Sequence, residues 1–224
     1  MSDHPSPPWS PDAVDALRRE AKRQLRKRMR GLRANVPPEA RQARSAAIAA
    51  AVTALDAWRD AETVGLFASL GDEVDTAPLF EAARAAGKRV ALPVVPESQG
   101  PLTWRLALDR DGAATPRTVN AWGIEEPAPE APAVAPESIG LVVVPALVVD
   151  PRGHRIGYGR AYYDQTLPGL VHAERVVVAF EFQLLAEVPA EAHDVPAHRV
   201  VTDQRSFAAE GAPAAQRGDR TETV

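Results

Sequence analysis

Residues 153–164 read GHRIGYGRAYYD: three glycines at close spacing, two arginines, a pair of adjacent tyrosines and a closing aspartate. This segment is the part of the chain best equipped for chemistry on an anion. Glycine lets a backbone come close to a phosphate and aim its N–H groups at it. The guanidinium groups of Arg155 and Arg160 add planar forks that match phosphate oxygens. Asp164 offers a hard oxygen ligand for magnesium, the usual companion of nucleotide phosphates. The flanks fit a strand, a loop and a helix. Val142, Val143 and Val144 form an apolar β-branched run of the kind buried on both faces of a parallel sheet, and Pro145 ends it. Ala161 to Leu167 reads as a helix whose positive end points back into the loop.

A second concentration of charge lies near the beginning. Arg18, Arg19, Lys22, Arg23, Arg26, Lys27, Arg28, Arg30 and Arg33 crowd one segment, although the whole chain carries a net charge of -4. Lys22 and Arg26 lie four apart and share a helix face, which suits a common ligand. Taken alone, they read as a solvated basic face, and an arginine-rich helix is also a means of binding RNA. The acidic balance and the lack of an aromatic-rich strand weigh against nucleic acid. By the same bland reading, Glu73 is an exposed loop acid, and Trp104 and Trp122 serve packing as readily as ligand contact. His193 adjoins Asp194, but neighbours on a loop seldom face one another, so His193 reads as structural.

These residues need a scaffold. The spacing of Val14, Leu17, Ala21, Leu25 and Leu32 predicts an amphipathic helix from Pro11 with those side chains on its apolar stripe, broken at Val36-Pro37-Pro38. An alanine-rich helix opens at Pro38 or Glu39, with Ile48, Val52 and Leu55 on one face. A third is capped by Asp75 or Thr76 and closed by Gly87. Strands are expected over 63–67, 89–93, 102–106, 141–144, 175–179 and 198–202, with a short helix or turn over 182–187. Residues 109–138, rich in proline, are expected to run irregularly over the surface. The alternation predicts a single α/β domain: a mostly parallel central sheet with helices on both faces, three-layered and Rossmann-like. Ligands of such sheets bind outside the carboxyl ends of the strands, here the loops 68–75, 145–160 and 180–183. Residues 1–10 read as a disordered arm, 11–207 as the domain and 208–224 as a disordered tail. The chain has no cysteine, so disulfides and thiolate metal sites are excluded. No hydrophobic run approaches a membrane span and no signal-peptide core is seen, so a cytoplasmic location is expected.

Taken in order, these segments resemble the 5-formyltetrahydrofolate cyclo-ligase family. Lys22-Arg23-Gln24-Leu25-Arg26 resembles its amino-terminal basic motif, and Glu73-Val74-Asp75-Thr76 its E-V-x-T segment. Trp122 to Pro127 resembles its G-I-x-E-P. Asp150 to Asp164 resembles its D-x-x-G-x-R-(I/L)-G-x-G-x-x-Y-Y-D signature. Gln183, Val188-Pro189 and His193 to Pro196 match its carboxyl-terminal pattern. The chain departs at Arg160-Ala161, where many members carry Gly-Gly; the Cβ of Ala161 narrows the loop and resists positive φ.

The resemblance implies an ATP- and Mg2+-dependent cyclisation of 5-formyltetrahydrofolate to 5,10-methenyltetrahydrofolate, releasing ADP and phosphate through a phosphorylated formyl group, an iminium phosphate. It implies that ATP contacts Lys22, Arg23, Arg26, Arg155, Gly157, Tyr158, Gly159, Arg160, Ala161, Tyr162 and Tyr163. It implies that the folate meets Phe67, Glu73, Trp104, Trp122, Tyr162 and Tyr163. Arg155 and Tyr163 would be catalytic, and Asp164 and Asp194 would hold magnesium. A monomer with no nucleic-acid or membrane partner is expected. The competing readings are a relative that binds folate or nucleotide without turnover, another ATP-dependent ligase on the same scaffold, and an RNA-binding protein using helix 18–33.

Overall fold

The apolar runs take the centre of the sheet because they can be covered twice. In Leu141–Val144 every side chain is wholly buried, and successive residues point to opposite faces. Leu141 and Val143 join one cluster, with Ile48, Val52, Trp58 and Leu79. Val142 and Val144 join another, with Trp104, Ile139, Leu167 and Leu170. A strand bounded by two cores in this way belongs in the middle of a parallel sheet.

The computed structural model describes residues 10–211 other than residue 192. In chain order its elements are α1 (Pro11–Ala34), α2 (Pro38–Thr53), α3 (Asp56–Asp60), β1 (Thr63–Gly65), α4 (Ala77–Ala85), β2 (Arg89–Val94), β3 (Thr103–Leu108), β4 (Arg117–Val119), β5 (Glu125–Pro127), β6 (Leu141–Pro145), β7 (Val148–Val149), β8 (Arg155–Ile156), α5 (Tyr162–Thr166), β9 (Glu174–Val178), β10 (Arg199–Val201) and β11 (Ser206–Ala208). The seven-stranded sheet runs β11-β10-β9-β6-β1-β2-β3. The five inner strands are parallel, and β3 and β11 close the edges antiparallel. The expected mostly parallel α/β sheet is therefore what forms. Its helical cover is uneven: α2, α3 and α4 pack on one face, while the other carries the short α5, the 3-10 turn after it and irregular chain. No helix among the described residues is long and apolar enough to cross a membrane.

Several elements were absent from the sequence expectations, all of them short. α3 is five residues long, too short to show a helical period. β4 and β5 are three residues each and pair with one another as an outlying hairpin, inside the stretch expected to be irregular. β11 lies in what reads as the edge of the tail, yet Ala208 pairs with Arg199 and the Ala209 N–H donates to the His198 carbonyl. The domain thus continues past residue 207. At the other end Ser10, assigned to the arm, is the N-cap of α1, its Oγ accepting the Ala13 N–H at 3.2 Å. The rest of the expected arm and tail, 1–9 and 212–224, lies outside the described residues.

The orientation of α1 corrects the sequence reading in a way that matters for function. Leu17 and Leu32, expected on the buried stripe, are 62% and 45% exposed. The inward face instead carries Lys22, Met29 and Arg33, all buried, with Leu25 and Arg26 beside them. Met29 and Leu25 pack against Leu147, Val148 and Ile156 of the β7–β8 hairpin. Cations can face inward here because each finds a fixed acceptor, which offsets the cost of leaving water.

Candidate active site

A cleft of about 980 Å³ opens at the carboxyl ends of the parallel strands. Its walls come from α1, the loop after β1, the β4–β5 hairpin, the glycine loop after β8, and Glu191, His193 and Asp194. Of the three loops expected to build a site, 68–75 and 145–160 do, while 180–183 does not line it; Glu191, His193 and Asp194, further along the chain, do. Gln183 sits underneath instead, its Nε2 donating to the Ala146 and Leu147 carbonyls at 2.9 and 3.0 Å.

The glycine loop is held by a buried carboxylate and one close approach. Asp150 is fully buried and accepts the N–H groups of Arg152, His154 and Val188. Gly153, at φ 81°, lies against the chain at Ala197, where an added Cβ would come 2.5 Å from the Ala197 carbonyl oxygen. The Ala197 N–H donates to the Gly153 carbonyl at 2.9 Å. Arg155 completes the joint. Its Nη1 donates to the Val195 carbonyl at 2.5 Å and its Nη2 to Asp164 Oδ1 at 2.9 Å, and the same Asp164 oxygen accepts the Val195 N–H at 3.3 Å. Burial lowers the Arg155 guanidinium's pKa, and Asp164 acts against that.

Each expected site residue except one lines the cleft. Lys22 is engaged there by an acidic pair, donating to Glu191 Oε2 at 2.6 Å and Asp194 Oδ2 at 2.9 Å. Burial raises the Asp194 carboxyl, but the Glu191 N–H and Lys22 overcome it and leave the group below its ordinary value. Arg26 Nε donates to the Gly157 carbonyl at 2.9 Å, with its guanidinium over Gly159, whose φ is 97°. Arg23 is exposed and pairs with Glu20. Arg160 stands over the half-exposed ring of Trp122. The Tyr163 hydroxyl is buried and has no hydrogen-bond partner among the described residues. Burial also pushes it well above the ordinary tyrosine range.

The exception is Trp104. It is 2% exposed and belongs to the core, its ring against Gly65, where a Cβ would meet it at 3.1 Å. The counter-case is Glu73, which by itself read as an exposed loop acid. It is 7% exposed, and its Oε2 accepts the Leu70 N–H at 3.0 Å. Burial raises its pKa, opposed by the Leu70 N–H, Tyr158 and Arg33.

The two carboxylates expected to hold magnesium lie on the same wall but keep different company. Asp194 groups with Glu191 and His193, their ligand atoms within 4.8 Å of one another, and Asp164 does not belong to that group. His193, read as structural, is an exposed member of it. Glu191, Arg33 and Asp72 were missed. Following the Lys22–Arg26 face two turns further would have reached Arg33, and the three-residue step back from Asp194 would have reached Glu191.

α5 also begins later than expected. Ala161 is its N-cap in the left-handed region, at φ 53°, and the helix spans only five residues. This is the one described non-glycine residue at positive φ. A left-handed residue with a Cβ costs about 1 kcal/mol. Ala161→Gly is therefore expected to raise the thermal midpoint by about 2 °C, read by calorimetry. A lowered midpoint would mean that the loop is not strained at this position.

Fold and cleft together define a class: an α/β enzyme whose site lies beyond the carboxyl ends of parallel strands and is lined for an anion. Residues 18–203 match the sequence model of the 5-formyltetrahydrofolate cyclo-ligase family, and the chain belongs to that family. A 5-formyltetrahydrofolate cyclo-ligase from Mycolicibacterium smegmatis is 33% identical over 84% of this chain and 97% of its own length. One from Escherichia coli K12 is 36% identical over 65% of this chain and 80% of its own. Among solved structures, Aquifex aeolicus 5,10-methenyltetrahydrofolate synthetase aligns with a TM-score of 0.73 at 28% identity, covering 89% of this chain and 98% of that one.

Proposed function

We propose that the protein cyclises 5-formyltetrahydrofolate to 5,10-methenyltetrahydrofolate, consuming ATP with Mg2+ and releasing ADP and phosphate, as a cytoplasmic monomer. The observation that carries this reading is the placement of the family's signature loop. Residues 155–164 form one wall of a cleft whose other parts bring the buried Glu73 and Phe67 and the half-exposed Trp122. A phosphate-facing region and a ring-facing region thus share one space.

The chemistry asks for alignment more than for covalent help. The formyl oxygen attacks the γ-phosphorus, the bond to ADP breaks, and an iminium phosphate remains. N10 then attacks the formyl carbon and loses its proton. The C–O bond breaks, phosphate departs and the ring closes. Lys22, Arg26, Arg155 and Arg160 supply positive charge against the transferring phosphoryl group, and the backbone of Gly157–Tyr163 supplies donors. Glu73 accepts paired N–H donors of the pterin, with Phe67, Trp122 and Tyr162 beside the ring. The unpartnered Tyr163 hydroxyl is available to the reacting oxygens. Asp164 and Asp194 are hard oxygen donors that suit magnesium, and among the described residues each has only one oxygen committed to close hydrogen bonds. When bound, the ion supplies charge neutralisation at the phosphates.

The test is absorbance at the methenyl-folate band, with purified protein and 5-formyltetrahydrofolate. A rise that needs both ATP and Mg2+ is expected. No rise while both substrates bind would make the chain a non-catalytic relative.

A further inference from the structure

A line of polar contacts joins α1, the glycine loop and the loop after β1 at the folate end of the cleft. Arg33 is 4% exposed. Its Nε and Nη2 donate to Asp72 Oδ1, the first at 3.1 Å, and Nη2 also donates to the Tyr158 hydroxyl oxygen at 2.6 Å. A phenol that accepts from a guanidinium keeps its own proton free. Asp72 adjoins Glu73 in the chain, so Arg33 holds the Tyr158 hydroxyl at the Glu73 loop, and Tyr158 and Glu73 both line the cleft. The ring is fixed as well, with the guanidinium carbons of Arg30 and Arg33 at 5.3 and 5.8 Å from its centre.

We propose that Tyr158, anchored by Arg33 and Asp72, is a positioning residue for Glu73: its hydroxyl aims the carboxylate that receives the pterin's N–H donors. This rests on the proposed function, which places the pterin at Glu73. The relay is not what the glycine loop's position suggests. The side chain of Tyr158, in the middle of a phosphate-facing segment, turns away from the phosphates and serves the other substrate. Arg33 likewise belongs to the basic helix yet acts at the folate end.

The contacts also bear on charge. Glu73 is useful to N–H donors only as an acceptor, and burial favours its protonated form. The groups facing it are the Leu70 N–H and Asp72 from its own loop, Tyr158 from the glycine loop, Tyr163 from α5 and Arg33 from α1. Of these, the Leu70 N–H, Tyr158 and Arg33 favour the ionised form. Removing the Tyr158 hydroxyl lets burial push Glu73 further up, so folate binding should fail at a higher pH on the acid side.

The experiment is a double-mutant cycle read by calorimetric binding of 5-formyltetrahydrofolate from acid to neutral pH. Tyr158→Phe keeps the ring between its two arginines, so the fold is preserved. The expected result is about tenfold weaker binding at neutral pH, the worth of one hydrogen bond to a charged group, with the acid limb moved upward. ATP affinity should stay within about twofold. In a Glu73→Ala background the same substitution should change folate binding by less than about twofold. Equal losses in both backgrounds, no loss in either, or an equal loss for ATP would overturn the assignment. Binding is read without turnover. If the protein binds 5-formyltetrahydrofolate but does not cyclise it, the proposed activity falls while the relay is still measured. If it does not bind the folate, both fall.

Discussion

Arg155→Ala is expected to cut cyclisation by at least about 100-fold, the usual loss for a fixed donor at a charged centre, and to destabilise the protein by about 3 kcal/mol, as the loss of one partner from a buried ion pair does. In sequence Arg155 reads as a residue facing ligand, matched to phosphate oxygens. The structure gives it a second task. Its guanidinium is buried and committed to Asp164 and the Val195 carbonyl, so truncation strands two acceptors at once. Urea denaturation and initial-rate kinetics on one sample separate the two effects. Arg155→Lys should recover most of the stability and little of the rate, since an ammonium keeps the charge but not the fork. Full activity in the alanine variant would remove Arg155 from the site. Unchanged stability would mean that the joint with Asp164 and Val195 does not bear on folding.

Glu73→Gln is expected to weaken 5-formyltetrahydrofolate by about 100-fold, because an amide presents one acceptor where two N–H donors need a pair and adds a donor of its own. The KM for ATP should stay within about twofold if the division of the cleft is as described. The same substitution has a stability signature of known sign. Burial raises the folded-state pKa of Glu73 above its unfolded value. Such a group contributes most below the ordinary glutamate pKa of about 4.3, and that contribution is lost as pH rises through the folded-state value. The glutamine variant carries no such loss. Its stability relative to the unchanged protein should therefore grow as pH is taken from acid to neutral. A lead that shrinks with pH, or equal losses for folate and ATP, would contradict the buried-acceptor role. A residue that costs stability at working pH while serving a ligand is the pattern expected at functional sites.

Much of this was legible before the structure. Val142–Val144 and the glycine loop announce strand and anion site in consecutive residues, because period-two burial and backbone access are properties of local sequence. Ile48 and Val52 reveal the inner face of α2 for the same reason. α1 defeats that logic. Its inward face is set by Glu191, Asp194, Asp72 and the Gly157 carbonyl, acceptors that arrive from distant segments, so the apolar stripe of Leu17 and Leu32 was a misleading guide. Trp104 and Trp122 looked alike in sequence. One is buried because β3 lays it across Gly65, and the other is half exposed because a hairpin holds it at the cleft. The side-chain task of Tyr158 depends on an arginine 125 residues away, and no spacing rule reaches that far.

The seam at Gly153, with its companions Asp150–Val188, Arg155–Val195 and Asp164–Val195, fastens the glycine loop to the later chain at Val188, Val195 and Ala197. The opposing wall is built differently. Among the described residues β4 pairs with β5 alone and is exposed at each of its three residues, while β5 beneath it is held by Glu126, which accepts the Val95 N–H at 2.9 Å. Resistance to local opening should therefore be unequal across the site, greater on the glycine side than along β4. A nucleotide meets a surface already organised and loses little entropy in shaping it. A ring meeting Trp122, by contrast, still has the β4 side of the hairpin to order.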